Sequence, residues 1–299
     1  MHSPDSAILP GMPRKLTKKP RIAIVGAGNL ASALAVSLWA AGYKIEQVVA
    51  REQAASMRRA LRLAREIGTS AVAAARAHIQ AEIVWFCVPD GAIAAAAESL
   101  KEAANWHGKV ALHSSGALAS DELAALQRRG AAAASVHPLM TFVRGSRPSL
   151  VNAPFALEGD HKAVRAARAI VRNLRAQPFT LRKQHKAAYH TWGMFASPLL
   201  DALLAASERV AGAAGVSRKA ARERMLPILQ QTLANYARLG APGAFSGPIA
   251  RGDVATVEKH LSVLRAVPGT TEVYIALARE ALRDLPAKNR AALEKILKR

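Results

Sequence analysis

The sequence predicts an α/β fold, in which a parallel sheet covered by helices is followed by an all-α domain. The first half alternates short apolar runs rich in β-branched residues with segments of helical spacing. This alternation is typical of buried parallel strands joined by crossover helices. Beyond Leu181 only helical spacing remains, so we place the domain boundary near Arg182. A chain of 299 residues is long enough for two such domains.

The predicted organisation is therefore a sheet domain over residues 21–182 and a helical domain over residues 183–299. Residues 1–20 carry prolines and lysines but lack the apolar core of a signal peptide, so we expect a disordered basic tail. Apolar runs of about eighteen residues, the length that would span a membrane, do not occur. The single cysteine, Cys87, lies in an apolar run and excludes a disulfide framework. We therefore expect a cytoplasmic protein.

The formal net charge of +21 raises the question of nucleic-acid binding. The basic residues are spread along amphipathic helical segments, such as Arg58–Arg65 and Lys162–Arg175, and aromatic residues are scarce. The charge therefore favours attraction of an anionic cofactor or substrate, with nucleic-acid binding as an alternative. The nine histidines show no HExxH spacing, and one cysteine cannot build a thiolate site, so we expect no metal.

The most informative stretch is the apolar run Arg21–Val25 and the glycine turn after it. This strand, turn and helix carry a GxGxxA pattern, which is typical of a Rossmann-type dinucleotide-binding domain. The first glycine suits the tight turn, the second lets a pyrophosphate approach the main chain, and the alanine lets the helix pack closely. The free N–H groups of the helix then bind phosphate. The predicted cofactor-binding residues here are Gly26, Ala27, Gly28, Asn29, Leu30 and Ala31. A tight turn without a nucleotide is the alternative.

The remaining elements follow from the same two periodicities. The further strands are predicted at Lys44–Ala50, Ser70–Ala73, Glu82–Val88, Lys109–Leu112, Ala131–Ser135, Phe155–Leu157 and Gln177–Leu181. Helices are predicted at Asn29–Ala41, Gln53–Ile67, Lys162–Arg175, Lys219–Leu239, Val254–Ala266 and Glu272–Asp284.

The residue after the second strand selects the coenzyme. An acidic residue there would hold the ribose 2′-hydroxyl of NAD, whereas an arginine pairs with the 2′-phosphate of NADP. Arg51 comes first and Glu52 follows, so we predict NADP, with NAD as the alternative. A solvated surface charge is the other interpretation of Arg51.

Small and polar residues follow two other predicted strands at the ends that face the cofactor crevice. Val88, Pro89 and Asp90 close one strand, and Ser114, Ser115 and Gly116 follow the next. We predict that all six contact the cofactor, and that the serines lie near the nicotinamide. A capped loop is the alternative for the serine segment. His137 precedes a proline, which restricts the direction of its side chain, and we include it among the candidate catalytic residues.

Lys186, His190, Gly193 and Ser197 recur at helical spacing, so they form a polar stripe on one predicted helix. Apolar neighbours indicate that the stripe is partly enclosed. An enclosed lysine and histidine would be costly without a function, whereas an ordinary helix would simply expose such a stripe to water. Further along, a Gly-Pro and Arg-Gly-Asp loop supplies Arg251 and Asp253 as candidate substrate contacts, together with Ser197. Asp253 is equally suited to cap the next helix.

Six motifs, taken together, resemble a bacterial family that pairs a Rossmann-like domain with a helical domain called DUF2520. They are GAGNLASAL, VPD, HSSGAL, SVHPLMTF, KAAYHTWGMFASPLLDAL and GPIARGD, in this order. That family is similar in architecture to 6-phosphogluconate and 3-hydroxyisobutyrate dehydrogenases, pyrroline-5-carboxylate reductase and ketopantoate reductase. The resemblance implies an NADP-dependent oxidoreductase whose C-terminal domain is like that of 6-phosphogluconate dehydrogenase.

The resemblance also implies roles for residues of the helical domain. Lys186 matches a catalytic lysine of the hydroxyacid dehydrogenases, but His190 stands where they have asparagine, and Pro198 replaces an asparagine common in DUF2520. We therefore expect hydride transfer from NADPH to a carbonyl or imine carbon between the domains, on a small carboxylate-bearing substrate such as a 2-oxo acid. Lys186 would donate the proton and His190 would orient it or relay protons. Arg251 and Asp253 would come from the partner subunit of a homodimer. A non-catalytic NADP sensor is the alternative.

Overall fold

The computed structural model describes residues 19–298, so all but the last two residues of the predicted basic tail lie outside the described residues. The chain divides into two compact units after Gly193. The predicted boundary near Arg182 stays a prediction, but α6 (Lys186–Ala196) begins within the first unit.

The first unit is built on an eight-stranded sheet. The strands are β1 Ile22–Val25, β2 Ile45–Ala50, β3 Ser70–Ala73, β4 Ile83–Phe86, β5 Val110–His113, β6 Ala132–Pro138, β7 Pro154–Gly159 and β8 Gln177–Thr180. Their order in the sheet is β3-β2-β1-β4-β5-β6-β7-β8, and all neighbouring strands are parallel except β6 and β7. The first six strands have the 3-2-1-4-5-6 order of a dinucleotide-binding domain, with the topological switch point between β1 and β4. The predicted α/β fold is confirmed.

The antiparallel pair is where the sheet departs from the sequence prediction. No helix crosses over between β6 and β7, which are joined by the loop 139–153. Because parallel neighbours need a crossover connection, β7 returns in the opposite direction. This loop lies next to the glycine turn, where Asn29 Nδ2 donates a hydrogen bond to the Phe142 carbonyl at 3.1 Å.

Helices cover both faces of the sheet. Successive residues of β1 point to opposite faces, so Ile22 and Ile24 pack in one core while Ala23 and Val25 pack in the other. In β4, Trp85 packs in the first of these cores and Phe86 in the second, and both are fully buried. The helices of this unit are α1 Asn29–Ala40, α2 Ala54–Glu66, α3 Ile93–Ser99, α4 Ala124–Gln127, α5 His161–Asn173 and the start of α6.

The second unit is helical. Its helices are α7 Pro198–Ala213, α8 Arg218–Ala244, α9 Pro248–Arg251, α10 Val254–Leu264, α11 Thr270–Asp284 and α12 Arg290–Leu297. A small core joins the last three helices, with Val257, Leu282 and Leu293 almost fully buried. The backbone of α8 leaves helical geometry at Gly240, where φ is +68°, close to the predicted end of that helix at Leu239.

The predicted stripe of α6 is shorter than the sequence indicated. The helix ends at Ala196, and Ser197 has φ −133° and ψ −82°, outside the helical region. The cause is Pro198, which disfavours helical geometry in the residue before it and has no N–H to continue the hydrogen-bond ladder. Ser197 is therefore not on the same helix as Lys186, His190 and Gly193.

Among the described residues, no helix combines the length and the apolar character needed to cross a membrane.

The glycine turn yields a matched pair of stability predictions. Gly26 has φ +107°, and a Cβ there would clash with the Cys87 carbonyl oxygen, whereas a Cβ at Gly28 would meet nothing within 4 Å. We expect Gly26→Ala to lower the free energy of unfolding by about 3 kcal/mol, because both strain and overpacking oppose it. Gly28→Ala should change it by less than about 1 kcal/mol. Urea unfolding followed by circular dichroism measures both, and equal losses would contradict this account.

Candidate active site

The glycine turn opens onto a cavity of about 840 Å³. The cavity lies at the carboxyl end of β1, beside the switch point of the sheet, which is where open α/β sheets bind ligands. Its walls come from the start of α1, one side of α2 and the loop between β6 and β7. The lining residues are Ala27, Gly28, Asn29, Ser32, Ala55, Arg58, Arg59, Arg62, Leu63, Arg144, Gly145, Ser146 and Arg147.

The start of α1 has the features of a phosphate site. Gly28 is its N-cap, and no side chain caps the free N–H groups of the first turn, which also lacks an acidic residue. The space beside Gly28 is open, while Gly26 packs against the end of β4 and fixes the turn. Ala31 is fully buried under the sheet, as predicted for the third position of the pattern. These residues fit a dinucleotide pyrophosphate.

The other predicted cofactor residues follow three strands, β2, β4 and β5. Val88, Pro89 and Asp90 follow β4, and a Val88 methyl carbon would lie 3.2 Å from a Cβ on Gly26. Arg51 follows β2 and is exposed, but it is not among the residues that line the cavity. Its role in coenzyme selection stays a prediction.

The two serines after β5 form hydrogen bonds within the protein. Ser114 Oγ accepts a bond from the Trp85 indole N–H at 2.8 Å. Ser115 Oγ donates to the Asp90 carboxylate at 2.7 Å and accepts from the Leu118 N–H. Ser115 thereby links the end of β5 to the turn after β4. Contact between these serines and a nicotinamide ring stays a prediction.

Lys186 lies in the interior of the first unit, with only 2% of its surface exposed. Its ammonium group donates to Ser135 Oγ at 2.6 Å and to the Ser115 carbonyl at 3.1 Å, and Ser135 Oγ donates to the same carbonyl at 2.9 Å. Burial lowers the pKa of Lys186 to about 8, although the charges of Glu158 and Asp90 oppose this shift. At neutral pH most of the amine therefore still carries its proton, but it loses that proton at a lower pH than an ordinary lysine does.

His137 lies next to this lysine and is held by a tyrosine. Its Nδ1 is 2.8 Å from the Tyr189 hydroxyl, and the two rings meet edge to face. Burial, with the nearby charges of Lys186 and His190, lowers the pKa of His137 to about 4, and burial raises the pKa of Tyr189 to about 12. At neutral pH the imidazole is therefore uncharged and the phenol keeps its proton.

Gly116 brings His137 and His190 together. A Cβ on this glycine would lie 2.8 Å from His137 Nε2 and 2.9 Å from His190 Cδ2, so both imidazoles press against the backbone there. The centroids of the His137 and His190 rings are 6.4 Å apart. The site therefore contains three of the predicted residues, Lys186, His190 and His137, within one cluster at the ends of β5 and β6.

A third histidine, which is fully buried, supports the turn after β5. His113 Nδ1 accepts the Ser115 N–H, so its proton is on Nε2, which donates to the Ala119 carbonyl at 2.9 Å. Burial lowers the pKa of His113 to about 4. This imidazole is a neutral structural group that fixes the position of Ser115.

One of the predicted substrate residues of the second unit has a local structural role. Asp253 caps α10, because its carboxylate accepts bonds from the N–H and the hydroxyl of Thr256. These hydrogen bonds lower the pKa of Asp253. Arg251 is exposed at the end of α9. Substrate contacts by Ser197, Arg251 and Asp253 stay predictions.

Sequence reasoning missed several residues that the fold brings to these sites. Ser135 and Tyr189 hold Lys186 and His137, but nothing in their local sequence distinguishes them. Arg58 and Arg62 had a detectable signal, because they are one helical turn apart on the helix after β2, and we interpreted them only as solvent-facing charges.

Two family models match the chain in succession. A Rossmann-like domain matches residues 9–138, and the domain of unknown function DUF2520 matches residues 153–281. No curated protein matches the sequence significantly.

Solved structures match most of the chain. A provisionally assigned NADP oxidoreductase from Bacteroides fragilis aligns with a TM-score of 0.74 and 21% identity, over 88% of this chain and 97% of that one. A protein from Thermotoga maritima aligns with a TM-score of 0.68 and 25% identity, over 93% and 100%. A reductive aminase from Aspergillus terreus, in complex with NADPH and ethyl-5-oxohexanoate, aligns with a TM-score of 0.62 and 18% identity, over 93% and 100%. At these identities the likeness supports the fold.

The buried lysine predicts an unusual pH dependence of stability. Between about pH 8 and 10.5 the folded lysine binds fewer protons than the unfolded one, so its desolvation cost is relieved as the pH rises. The parental free energy of unfolding should therefore rise across this window, relative to that of Lys186→Met, by on the order of 2 kcal/mol. Denaturant titrations at several pH values measure the difference.

Lys186→Arg provides the matched control for that experiment. Because a guanidinium stays charged throughout this range, the variant should also lack the rise. Parallel pH curves for the parent and Lys186→Met would contradict the burial of the amine.

Proposed function

We propose that this protein, in which a Rossmann-like domain is followed by a DUF2520 domain, is an NADPH-dependent reductase. Its substrate is a small molecule with a carbonyl or imine group, such as a carboxylate-bearing 2-oxo acid. The observation that carries the proposal is the glycine turn, whose free helix N–H groups open onto a basic cavity beside the switch point of the sheet. The similar structures described as an NADP oxidoreductase and as an NADPH-bound reductive aminase are consistent with this activity.

The residues around the cavity would hold the coenzyme. The backbone from Gly26 to Ala31 would bind its pyrophosphate, and the arginines of the cavity would attract its negative charge. A bound nicotinamide coenzyme supplies a hydride to the substrate carbon. The cluster at the ends of β5 and β6 is the part of this unit with groups suited to proton transfer.

Reduction of a C=O or C=N bond leaves an electron pair on the oxygen or nitrogen, and that atom must gain a proton. Below about pH 8 Lys186 holds a proton at Nζ, and one of its three N–H bonds has no partner among the described residues. We therefore assign proton donation to Lys186. Loss of that proton is favoured because burial already destabilises the charged form.

The two histidines would shape the access to Lys186. His190 is half-buried and follows Lys186 by one turn of α6, and His137 is neutral at working pH. The neutral imidazole of His137 can donate and accept hydrogen bonds without adding charge, so it can orient a substrate carbonyl or imine. The predicted proton relay through His190 remains part of this proposal.

The second unit supports assembly as a homodimer. Of the 27 residues of α8, only Ala221 is buried, whereas Leu226, Ile228, Leu233 and Tyr236 are each more than half exposed. The same unit has an apolar cavity of about 550 Å³, with Leu203, Phe245, Val263 and Leu277 among its walls. A long helix with so much exposed apolar surface is typical of an interface, and we propose that a second copy covers it.

The central test is coenzyme binding followed by turnover. Calorimetry should detect NADPH binding, and a panel of 2-oxo acids and cyclic imines should reveal NADPH consumption. Lys186→Met should bind NADPH as the parent does but reduce the identified substrate about 100-fold more slowly, because the proton donor is missing. The parental rate should fall above about pH 8 as Lys186 loses its proton.

Three outcomes of that test would contradict the proposal. If calorimetry detects no heat with either NADPH or NADH, the proposed nucleotide site is wrong. If NADPH binds but is not consumed with any compound of the panel, a nucleotide sensor is favoured. If Lys186→Met reduces the substrate at the parental rate, the proposed coenzyme site still holds, but the role of the lysine as proton donor is wrong.

Charge on α8 should disrupt the proposed dimer. Ile228→Glu and Leu233→Glu place carboxylates on the apolar surface, and we expect them to shift the sedimenting species from dimer to monomer. Ala234→Glu makes the same charge change at an exposed position on the opposite side of the same helix and should leave the dimer intact. A monomeric parent would contradict this part of the proposal.

A further inference from the structure

We propose that Arg58 and Arg62 of α2, together with Arg144 of the loop between β6 and β7, form the site that selects the 2′-phosphate of NADPH. This inference rests on the proposed function and assigns the selectivity to residues other than Arg51. It follows from the position of the three side chains, from the lack of carboxylates beside them and from the way the loop is anchored.

The position of the arginines follows from the helical repeat of α2. Ser56, Ala60, Leu63 and Ala64 are buried and fix the face of α2 that packs on the sheet. Ala55, Arg58 and Arg62 recur at three- and four-residue intervals on an adjacent face, and all three line the cavity. Because α2 follows β2, this face borders the region where the fold places the adenosine ribose.

The charges of these arginines are not balanced by the protein. Within residues 19–298, no carboxylate oxygen lies within 4 Å of a guanidinium nitrogen of Arg58, Arg59, Arg62 or Arg144. Arg147, at the edge of the same cavity, is different, because it pairs with Glu66. Four guanidinium groups around one cavity repel one another, and an anion in the cavity would relieve that repulsion.

The amount of charge fits a phosphorylated dinucleotide. NADPH carries about four negative charges near neutral pH, two on its pyrophosphate and about two on its 2′-phosphate, and NADH lacks the second pair. The amides of α1 suffice for a pyrophosphate, as in domains that bind NAD. The arginines therefore provide positive charge beyond what NADH requires. Arginine is also the side chain whose geometry matches phosphate oxygens in pairs.

The loop that carries Arg144 is attached to the cavity on both sides of this residue. Phe142 accepts a hydrogen bond from Asn29 at the start of α1, and Arg147 binds Glu66 at the end of α2, with an Nη2 to Oε2 distance of 2.9 Å. These two contacts hold residues 143–146 across the opening between α1 and α2. Arg144 thereby lines the same cavity as Arg58 and Arg62 although it lies far from them in sequence.

Coenzyme affinities test this assignment without a substrate. Dissociation constants for NADPH and NADH, from calorimetry in 0.15 M salt, should show that the parent prefers NADPH. The double variant Arg58→Ala/Arg62→Ala should bind NADPH about 100-fold more weakly and NADH within about threefold of the parent, because only the 2′-phosphate contacts are lost. Arg144→Ala should bind NADPH about tenfold more weakly than the parent, with its affinity for NADH unchanged. Adenosine 2′,5′-bisphosphate and adenosine 5′-phosphate, used as probes, should show the same contrast.

Two control variants separate selection from general charge. Arg65→Ala removes one charge from the same helix outside the cavity lining, and Arg51→Ala removes the arginine that sequence reasoning favours. For both variants we expect the ratio of NADPH to NADH affinity to stay within about threefold of the parental ratio. Thermal unfolding curves that match the parent would show that each variant is folded.

The possible outcomes distinguish this inference from the proposed function. If the double variant keeps the parental ratio of NADPH to NADH affinity, or if Arg51→Ala alone abolishes that ratio, the assignment is overturned while the coenzyme site stands. Equal losses of affinity for NADPH and NADH in the double variant would also overturn the assignment, since they would show that the arginines attract negative charge in general and not the 2′-phosphate. A parent that binds neither coenzyme overturns the proposed function and this inference with it.

Discussion

The contact between Gly26 and the Cys87 carbonyl is the constraint on which the candidate coenzyme site depends. The chain leaves β1 and turns directly against the end of β4, and no side chain fits between them. The turn aims the first amides of α1 at the cavity, while the buried side of α1, including Ala31 and Leu34, holds the helix against the sheet. A larger residue at position 26 would move the whole N-terminus of α1. The phosphate-binding geometry is therefore set by packing between two central strands and needs no charged side chain.

A second constraint is the burial of Lys186. An ammonium group is costly in the interior unless hydrogen bonds and opposite charges accompany it. Ser135 and the Ser115 carbonyl supply the hydrogen bonds, and Asp90 and Glu158 supply the compensating field. Those carboxylates are fixed in turn by Ser115 and by Ser120. The network thus holds the ends of β5 and β6 together around a lysine whose pKa is close to physiological pH.

The two regions of the first unit have opposite electrostatic designs. The cavity beside α1 and α2 collects exposed arginines without nearby carboxylates, which suits an anion that brings its own charge. The cluster of Lys186, His137 and His190 is more enclosed, and burial keeps His137 neutral. A design of this kind separates binding, which uses permanent charges, from proton transfer, which needs groups that can change protonation near neutral pH.

The sequence by itself determined the positions of the strands, the glycine turn and the enclosure of Lys186, because these depend on local periodicity and on small residues at fixed spacing. Ser197 was wrongly placed on the stripe of α6, since the effect of Pro198 on the helix outweighed a four-residue repeat. Only the tertiary structure decided the partners of these residues. Ser135 and Tyr189 reach Lys186 and His137 through strand pairing and helix docking. Arg144 comes to line the same cavity as the α2 arginines through a loop anchored at Asn29 and Glu66. Such contacts join residues distant in the chain, and no local pattern of side chains encodes which distant residues will meet.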